Sequence, residues 1–427
     1  MNVTLTVTEG PHQGRSYTFR EHDTFIVGRS KDAHFRLPLK DKYFSRFHFM
    51  VEVNPPFCRL MDMASTNGTF VNGRKVTTSD LNDGDVIKGG KTVVTVSLGD
   101  DDPREDSHPI RDDDPPTVEP TAPPLHHPNA PPLDEPTSGP VTSDLPDKTP
   151  TIPRYRIERE LGRGGMGVVY LAHREGDATP VALKTITPAV VHSKGTVGRF
   201  LREASVLRQL NHPNIVEFRE IGQAGDRLYF AMEYVPGIDA DGLLKGNRGP
   251  LPIPRAVGLV CQVLDGLTYA HARGFVHRDI KPKNILVETS AGHDRVKLAD
   301  FGLARLYLSS PISGLTLMGE AGGTSAFMSP EQVTNFREAK PPADLYSTGA
   351  TLYYLITGKK VYDFPPNANL QLLMVLQKDP IPILSRRVDI PYDLARAIHR
   401  SLARDPAARF PDAAAMRAVL APFERPR

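Results

Sequence analysis

Alternation dominates the first hundred residues. Val3, Leu5 and Val7 are apolar with Thr4 and Thr6 between them, Tyr17 and Phe19 repeat the pattern, and Val93, Val94 and Val96 close it. Gly, Asn and Asp fall between these short runs. Period-two runs broken by turn residues predict half-buried strands, and a series of them predicts a β-sandwich. From about residue 100 to 153 the pattern stops. Prolines are dense there (Pro115-Pro116, Pro123-Pro124, Pro131-Pro132), aromatic residues are absent, and Asp, Thr and Ser fill the gaps. Such a stretch cannot bury enough apolar surface to offset its ordering entropy, which predicts a disordered, extended linker. Strand-like runs then return, among them Leu228 to Val235 as a buried strand, and from about Leu259 they give way to helical periodicity. The expected order is an all-β domain at 1–98, a linker at 99–153 and a third segment at 154–424. That segment divides into a β-rich part to about 235 and a second part from about 236, whose helical periodicity begins near Leu259.

Composition narrows the setting. Of 427 residues, 39% are hydrophobic and 24% charged, as in ordinary soluble protein carrying some disordered sequence. A formal net charge of +2 provides no bulk attraction to nucleic acid or membrane, and neither is expected as a partner. The two cysteines, Cys58 and Cys261, lie far apart in apolar stretches and read as buried free thiols in a reducing compartment. No run of about 18 apolar residues predicts a membrane span, and residues 1–10 lack the regions of a signal peptide. The expected location is the cytosol.

The chemistry is concentrated in the third segment. His277-Arg278-Asp279 with Asn284, followed by Asp300-Phe301-Gly302, supplies two acids and an amide. Phosphoryl transfer from Mg·ATP needs an acid to accept a hydroxyl proton, and an acid plus an amide to hold metal ions. Upstream, in order, come Gly162-x-Gly164-x-x-Gly167-x-Val169, then Val181-Ala182-Leu183-Lys184, then Glu203. One glycine loop is weak evidence, but five motifs in order are not. The segment from Tyr155 to Phe423 resembles the eukaryotic-type (Hanks-type) serine/threonine protein kinases of bacteria. The resemblance implies a two-lobed α+β fold, with ATP and Mg²⁺ or Mn²⁺ as cofactors.

It also implies residue roles. Asp279 is the base, and Lys281 stabilises the transferring phosphoryl group and marks serine/threonine specificity. Lys184 holds the α/β-phosphates and pairs with Glu203. Asn284 and Asp300 ligate metal. Gly162, Gly164 and Gly167 let the backbone close over phosphate, Val169, Ala182 and Leu286 sandwich adenine, and the Glu233 carbonyl and Val235 amide bond its edge. Glu331 pairs with Arg409, and Asp344 supports the catalytic loop. For regulation, Arg278 meets an activating phosphate, Thr316 is the expected phosphosite, Glu320 offers a fixed carboxylate in its neighbourhood, and Thr324 shapes the substrate groove. Relatives in bacteria often carry a membrane span and an external sensor. This chain stops soon after the kinase segment, so neither is expected.

The amino-terminal segment carries a second set: Gly28-Arg29, Ser45-Arg46-x-His48, Thr66-Asn67-Gly68-Thr69 and Val71-Asn72-Gly73. A lone arginine is usually a solvated charge, and Asn-Gly is an ordinary hairpin turn. Together and in order, the set resembles a forkhead-associated (FHA) domain, a phosphothreonine-binding β-sandwich. Arg29 offers a planar fork of donors for phosphate oxygens. Ser45 adds a hydroxyl and Arg46 a second charge, Thr66 and Asn67 bond phosphate and peptide backbone, and His48 props the loops from inside.

The combined expectation is an active serine/threonine kinase that acts on proteins, phosphorylates itself and reads phosphothreonine on its own chain or on partners. The alternative is a phosphopeptide-binding scaffold with a weakly active kinase domain. The full set Lys184, Glu203, Asp279, Asn284 and Asp300 disfavours that alternative. Related kinases dimerise back to back through the small lobe, and the sequence leaves a homodimer open.

Overall fold

The computed structural model describes residues 2–19, 24–31, 33–37, 41–54, 57–99, 150–164, 167–186, 206–225, 227–247, 249–301, 324–336 and 338–425. The segment read as a linker, up to residue 149, lies outside them.

The amino-terminal strands are β1 (Asn2–Glu9), β2 (Ser16–Phe19), β3 (Thr24–Gly28), β4 (Phe35–Arg36), β5 (Phe49–Asn54), β6 (Phe57–Asp62), β7 (Thr69–Val71), β8 (Arg74–Val76), β9 (Thr78–Asp80), β10 (Val86–Gly89) and β11 (Thr92–Gly99). They form two sheets, in the orders β2-β1-β11-β10-β7-β8 and β4-β3-β5-β6-β9. In the first, alternation does what the sequence predicts: Val3, Leu5 and Val7 point inward and the threonines between them are half-buried. The second sheet departs from that pattern. All five residues of β3 are buried. Phe25 and Val27 join Phe49, Val51 and Leu60 in the sandwich core. Ile26, Met50 and Met61 belong, with Ala33, Phe47 and Met63, to a different cluster. That cluster is the core of the carboxy-terminal region, and Val333 and Leu372 are among its members.

The carboxy-terminal region opens with a five-stranded antiparallel sheet of β12 (Tyr155–Gly164), β13 (Gly167–Arg174), β14 (Pro180–Ile186), β15 (Phe218–Ala224) and β16 (Arg227–Glu233), in the order β12-β13-β14-β16-β15. Beyond it lie α1 (Ala240–Gly246), α2 (Ile253–His271), α3 (Pro330–Thr334), α4 (Pro341–Thr357), α5 (Ala368–Gln377), α6 (Ile383–Arg386), α7 (Tyr392–Ser401) and α8 (Ala413–Leu420). The last two are joined by a turn at Pro406–Ala408. The small strands β17 (Ile238–Asp239), β18 (Ile285–Ser290) and β19 (His293–Leu298) form a separate sheet.

Helix starts earlier than Leu259, and strand returns after it. Helix α1 is too short, with glycine at two of seven positions, to show a period; the Asp239 side chain caps it by accepting from the Gly242 amide at 2.7 Å. The β18–β19 hairpin alternates over too few residues to stand out between helices. At the centre of the helical part is α4, with most of its residues buried, ending at Gly358 with φ of 67°. No helix among the described residues is long and apolar enough to cross a membrane, and Cys58 and Cys261 are buried free thiols.

Candidate functional site

One buried carboxylate organises the loop before β18. Asp344, on α4, accepts the His277 amide at 2.9 Å and the Arg278 amide at 2.8 Å, and sits 2.8 Å from His271 Nε2. Burial works against its ionisation, but these partners outweigh burial and hold its carboxyl below the usual carboxylate range. The loop therefore turns where Arg278 adopts φ of 67°, a conformation that those two hydrogen bonds sustain. His277 then ties the next segment in. Its Nδ1 accepts the Asp279 amide at 3.2 Å, its Nε2 donates to the Ala299 carbonyl at 2.9 Å, and its ring meets Phe301 edge-on at 4.7 Å.

Asp279 is buried, and its two oxygens differ. Oδ2 lies 2.9 Å from Lys281 Nζ and accepts the Asn284 amide at 2.9 Å. Oδ1 is buried without a hydrogen-bond partner among the described residues. An unpaired carboxylate oxygen in a buried site is costly, so its retention points to a partner that arrives with substrate. Asn284 Nδ2 also donates to the Asp279 carbonyl at 2.7 Å, which leaves its Oδ1 for another partner. Lys184, on β14, lies 2.8 Å from both oxygens of Asp300. Burial again opposes ionisation of Asp300, and Lys184, with Lys281 beyond it, outweighs burial and lowers its pKa. Glu203, the expected partner of Lys184, lies outside the described residues.

The remaining positions expected to meet the nucleotide lie on the small sheet, just after it and on β18. Gly162 and Gly164 end β12 and Gly167 opens β13, with Gly164 paired to Gly167 across the turn. Val169 pairs with Lys184 on β14, two residues past Ala182. Glu233 ends β16, Val235 follows it, and Leu286 lies on β18; all three are partly buried. The sequence reading missed how Glu233 is fixed: its carboxylate is 2.7 Å from Lys297 Nζ and accepts the Glu217 amide at 3.1 Å. Lys297 is 6% exposed and lies three residues before Asp300, so one buried ion pair braces the hinge against the Asp300 segment. The oxygen donors Asn284 and Asp300 suit a hard divalent cation that also takes phosphate oxygens. Glu331, on α3, pairs with Arg409 through both guanidinium nitrogens, at 2.5 and 2.8 Å, and Arg409 is 2% exposed.

Arg278 Nε and Nη2 both lie 3.2 Å from the Ala339 carbonyl. Thr316 and Glu320 lie outside the described residues; Thr324 opens a 3₁₀ turn, Thr324–Phe327, and its side chain is likewise outside them.

At the tip of the amino-terminal sandwich, three loops are braced together. The Arg29 amide donates to the Ser45 carbonyl at 3.1 Å, and the Thr66 amide to Ser45 Oγ at 3.1 Å. Asn67 Nδ2 donates to the Tyr43 carbonyl at 2.8 Å, which holds its loop and leaves the side chain a second N–H and its oxygen for a ligand. His48 is fully buried; Nδ1 accepts the Ser45 amide at 2.9 Å and Nε2 faces the Gly68 carbonyl at 3.4 Å. Burial pushes its imidazole down to about 4, Asp62, the Gly68 carbonyl and Asp41 offsetting only part of the effect. A neutral ring is what this geometry needs: Nδ1 accepts while Nε2–H donates. Asp62 supports the third loop, accepting the Ser65 amide at 3.0 Å and the Ser65 and Thr69 hydroxyls, each at 2.5 Å. Nε of Arg29 is buried and has no hydrogen-bond partner among the described residues. A buried guanidinium N–H without an acceptor, on a loop tied by its backbone to Ser45, is suited to an anion.

The protein kinase domain family matches residues 155–420, and the FHA domain family matches residues 25–90. The chain is 38% identical over 279 residues to serine/threonine-protein kinase pkn3 of Myxococcus xanthus, covering 64% of this chain and 50% of the relative. It is 38% identical over 261 residues to serine/threonine-protein kinase PknJ of Mycobacterium tuberculosis, covering 61% and 43%. The chain thus spans about half or less of the length of these curated relatives. Among solved structures, the kinase domain of Mycobacterium tuberculosis PknI is similar with a TM-score of 0.51 and 29% identity, covering 64% of this chain and 97% of that one.

Proposed function

The chain belongs to the protein kinase family and carries an FHA domain, and on that premise we propose that it is a serine/threonine protein kinase that reads phosphothreonine. Its substrates are serine or threonine hydroxyls of proteins and the γ-phosphoryl group of ATP. The observation that carries the reading is the divided environment of Asp279, with Oδ2 held by Lys281 and Asn284 and Oδ1 buried and unpaired.

In the reaction Asp279 Oδ1 accepts the hydroxyl proton, the hydroxyl oxygen forms the new bond to the γ-phosphorus, and the bond to the ADP oxygen breaks. Lys281, tethered to Asp279, is placed to balance charge on the moving phosphoryl group. Asn284 Oδ1 and Asp300 would hold Mg²⁺ or Mn²⁺, which when bound offsets phosphate charge. Lys184, now on Asp300, is within reach of the same phosphates. The glycines at 162, 164 and 167 let backbone amides approach them, and Glu233 and Val235 present main chain to adenine. In the FHA domain Arg29, Ser45, Arg46, Thr66 and Asn67 receive the phosphate and the peptide backbone of the ligand, with His48 holding their loops. Self-phosphorylation at Thr316, pairing of that phosphate with Arg278, the carboxylate of Glu320 as a partial substitute, shaping of the substrate groove by Thr324 and a cytosolic location belong to the same reading.

The test is phosphate incorporation, by intact mass and site mapping, in the full chain with Mg·ATP and a protein substrate. Asp279→Asn is expected to lower kcat by about 10²- to 10⁴-fold with little change in KM for ATP. An Asp279→Asn enzyme that keeps the wild-type rate would overturn the assignment of the base. Absence of transfer by the wild type would return the chain to the scaffold reading.

A further inference from the structure

The outer face of the second FHA sheet is not a free surface. Ile26 and Met50 are 0% exposed and Met61 8%, yet none belongs to the sandwich core. A sandwich strand normally turns such positions to water and fills them with polar residues. Here they are apolar, and they share one cluster with the large lobe. Two polar contacts, both to α5, border this apolar seam. Asn369 Nδ2 donates to the Asp62 carbonyl at 2.8 Å, and Arg46 Nη2 donates to Gln377 Oε1 at 3.3 Å. These contacts fall on the loops that would read phosphate: Arg46 is one of the expected ligands, and Asp62 anchors the loop that carries Thr66 and Asn67. The same helix also reaches the substrate side of the large lobe. Gln371, between the two contacts, accepts the Ser325 hydroxyl at 2.5 Å, and Ser325 directly follows Thr324.

We infer that α5 is a docking element for the FHA domain of its own chain, and that a phosphothreonine peptide competes with α5 for Arg46, so that reading a phosphopeptide loosens the dock and alters substrate binding at the large lobe. The inference rests on the proposed phosphothreonine-reading function of the FHA loops. A phosphate dianion is the stronger acceptor for a guanidinium than a neutral side-chain amide, because the hydrogen bond is then charge-assisted. Linkage makes the coupling reciprocal: a bound phosphopeptide weakens the dock by the same factor by which the closed dock weakens peptide binding. The apolar seam holds the domains together, while the polar contacts at its edge adjust how tightly. The coupling is therefore a modest shift in an equilibrium, and no large rearrangement is required.

The experiment uses the full chain in an Asp279→Asn background, which keeps it from modifying itself. Its probe is a fluorescein-labelled phosphothreonine peptide pool with randomised flanks, alongside the same pool unphosphorylated. Binding is read by anisotropy for three chains: no further change, Asn369→Ala/Gln377→Ala, and Arg46→Ala. Removing these two hydrogen bonds, one exposed and one partly buried, is expected to tighten phosphopeptide binding about three- to tenfold. Arg46→Ala is expected to abolish it. In the catalytically intact chain, saturating phosphopeptide is expected to change KM for a protein substrate by a similar factor, and Asn369→Ala/Gln377→Ala to remove that response. Equal affinity of the double variant and its parent, with KM unmoved by peptide, would overturn the coupling and leave phosphothreonine reading intact. Failure of all three chains to bind the phosphorylated pool would overturn the reading itself.

Discussion

At the residue scale, the proposed function rests on side chains whose atoms are unequally occupied. Asp279 presents one oxygen and commits the other; Arg29 presents a buried N–H without a partner among the described residues. His48 is the complementary case, since both its nitrogens are used inside the fold. Its pKa is lowered from 6.5 to about 4, so between these values the unfolded chain binds a proton that the folded domain does not. Stability therefore rises with pH across this window and is lost as pH falls through it. At pH 5 the loss is about 2 kcal/mol from this group alone. Denaturant unfolding of the full chain, followed at the FHA domain between pH 7 and 5, checks this. A His48→Gln variant should show a much flatter profile, and an unchanged wild-type profile would exclude the neutral-ring account. The sequence pointed to every one of these residues, because residue type and spacing report chemistry. It did not show which atom of each is free. Asn67 illustrates the difference: its type suits a peptide backbone, and the fold uses one N–H of its amide to hold the Tyr43 carbonyl.

At the element scale, the small lobe depends on how closely two strands approach. Gly167 has φ of 137°, and a Cβ there would stand 1.9 Å from the Thr185 carbonyl oxygen. Neither backbone can yield without parting β13 from β14, the strand that carries Lys184. Gly167→Ala is expected to destabilise the kinase domain by about 1–3 kcal/mol and to weaken ATP binding, measured by calorimetry with Mg·ATP. Gly162→Ala is the control, since a Cβ there meets nothing within 4 Å. Equal losses in the two variants would mean that the loop is sensitive to any side chain. The elements themselves were partly readable. The long alternating strands were, but α1 and the β18–β19 hairpin were not, because each is shorter than the window over which a period can be recognised.

At the scale of the whole molecule, the FHA sandwich and the large lobe share buried apolar surface. Met61→Lys places a charge in that seam, which burial disfavours strongly. In the full chain the amide hydrogens of α5 are then expected to exchange at least about tenfold faster, while those of α4, deep in the lobe, keep their protection. Unchanged exchange in α5 would mean that the seam does not contribute to its stability.

The sequence by itself determined the two domain types, the candidates for the chemistry and the alternation of the first and last strands of the sandwich. Each of these is written in local spacing, in motif order or in a two-residue period. The signal for the dock was also present, as the apolar run Phe25-Ile26-Val27, but a run buried on both faces does not name what covers it. Only tertiary structure decided that, bringing Arg46 to Gln377 and Asp62 to Asn369 across more than three hundred residues. It also decided that Lys297 braces Glu233 and that Asp344 fixes the turn before Asp279. The physical reason is common to all of these pairings. Spacing along a chain specifies a local face, whereas a partner distant in sequence is chosen by the packing of faces against one another.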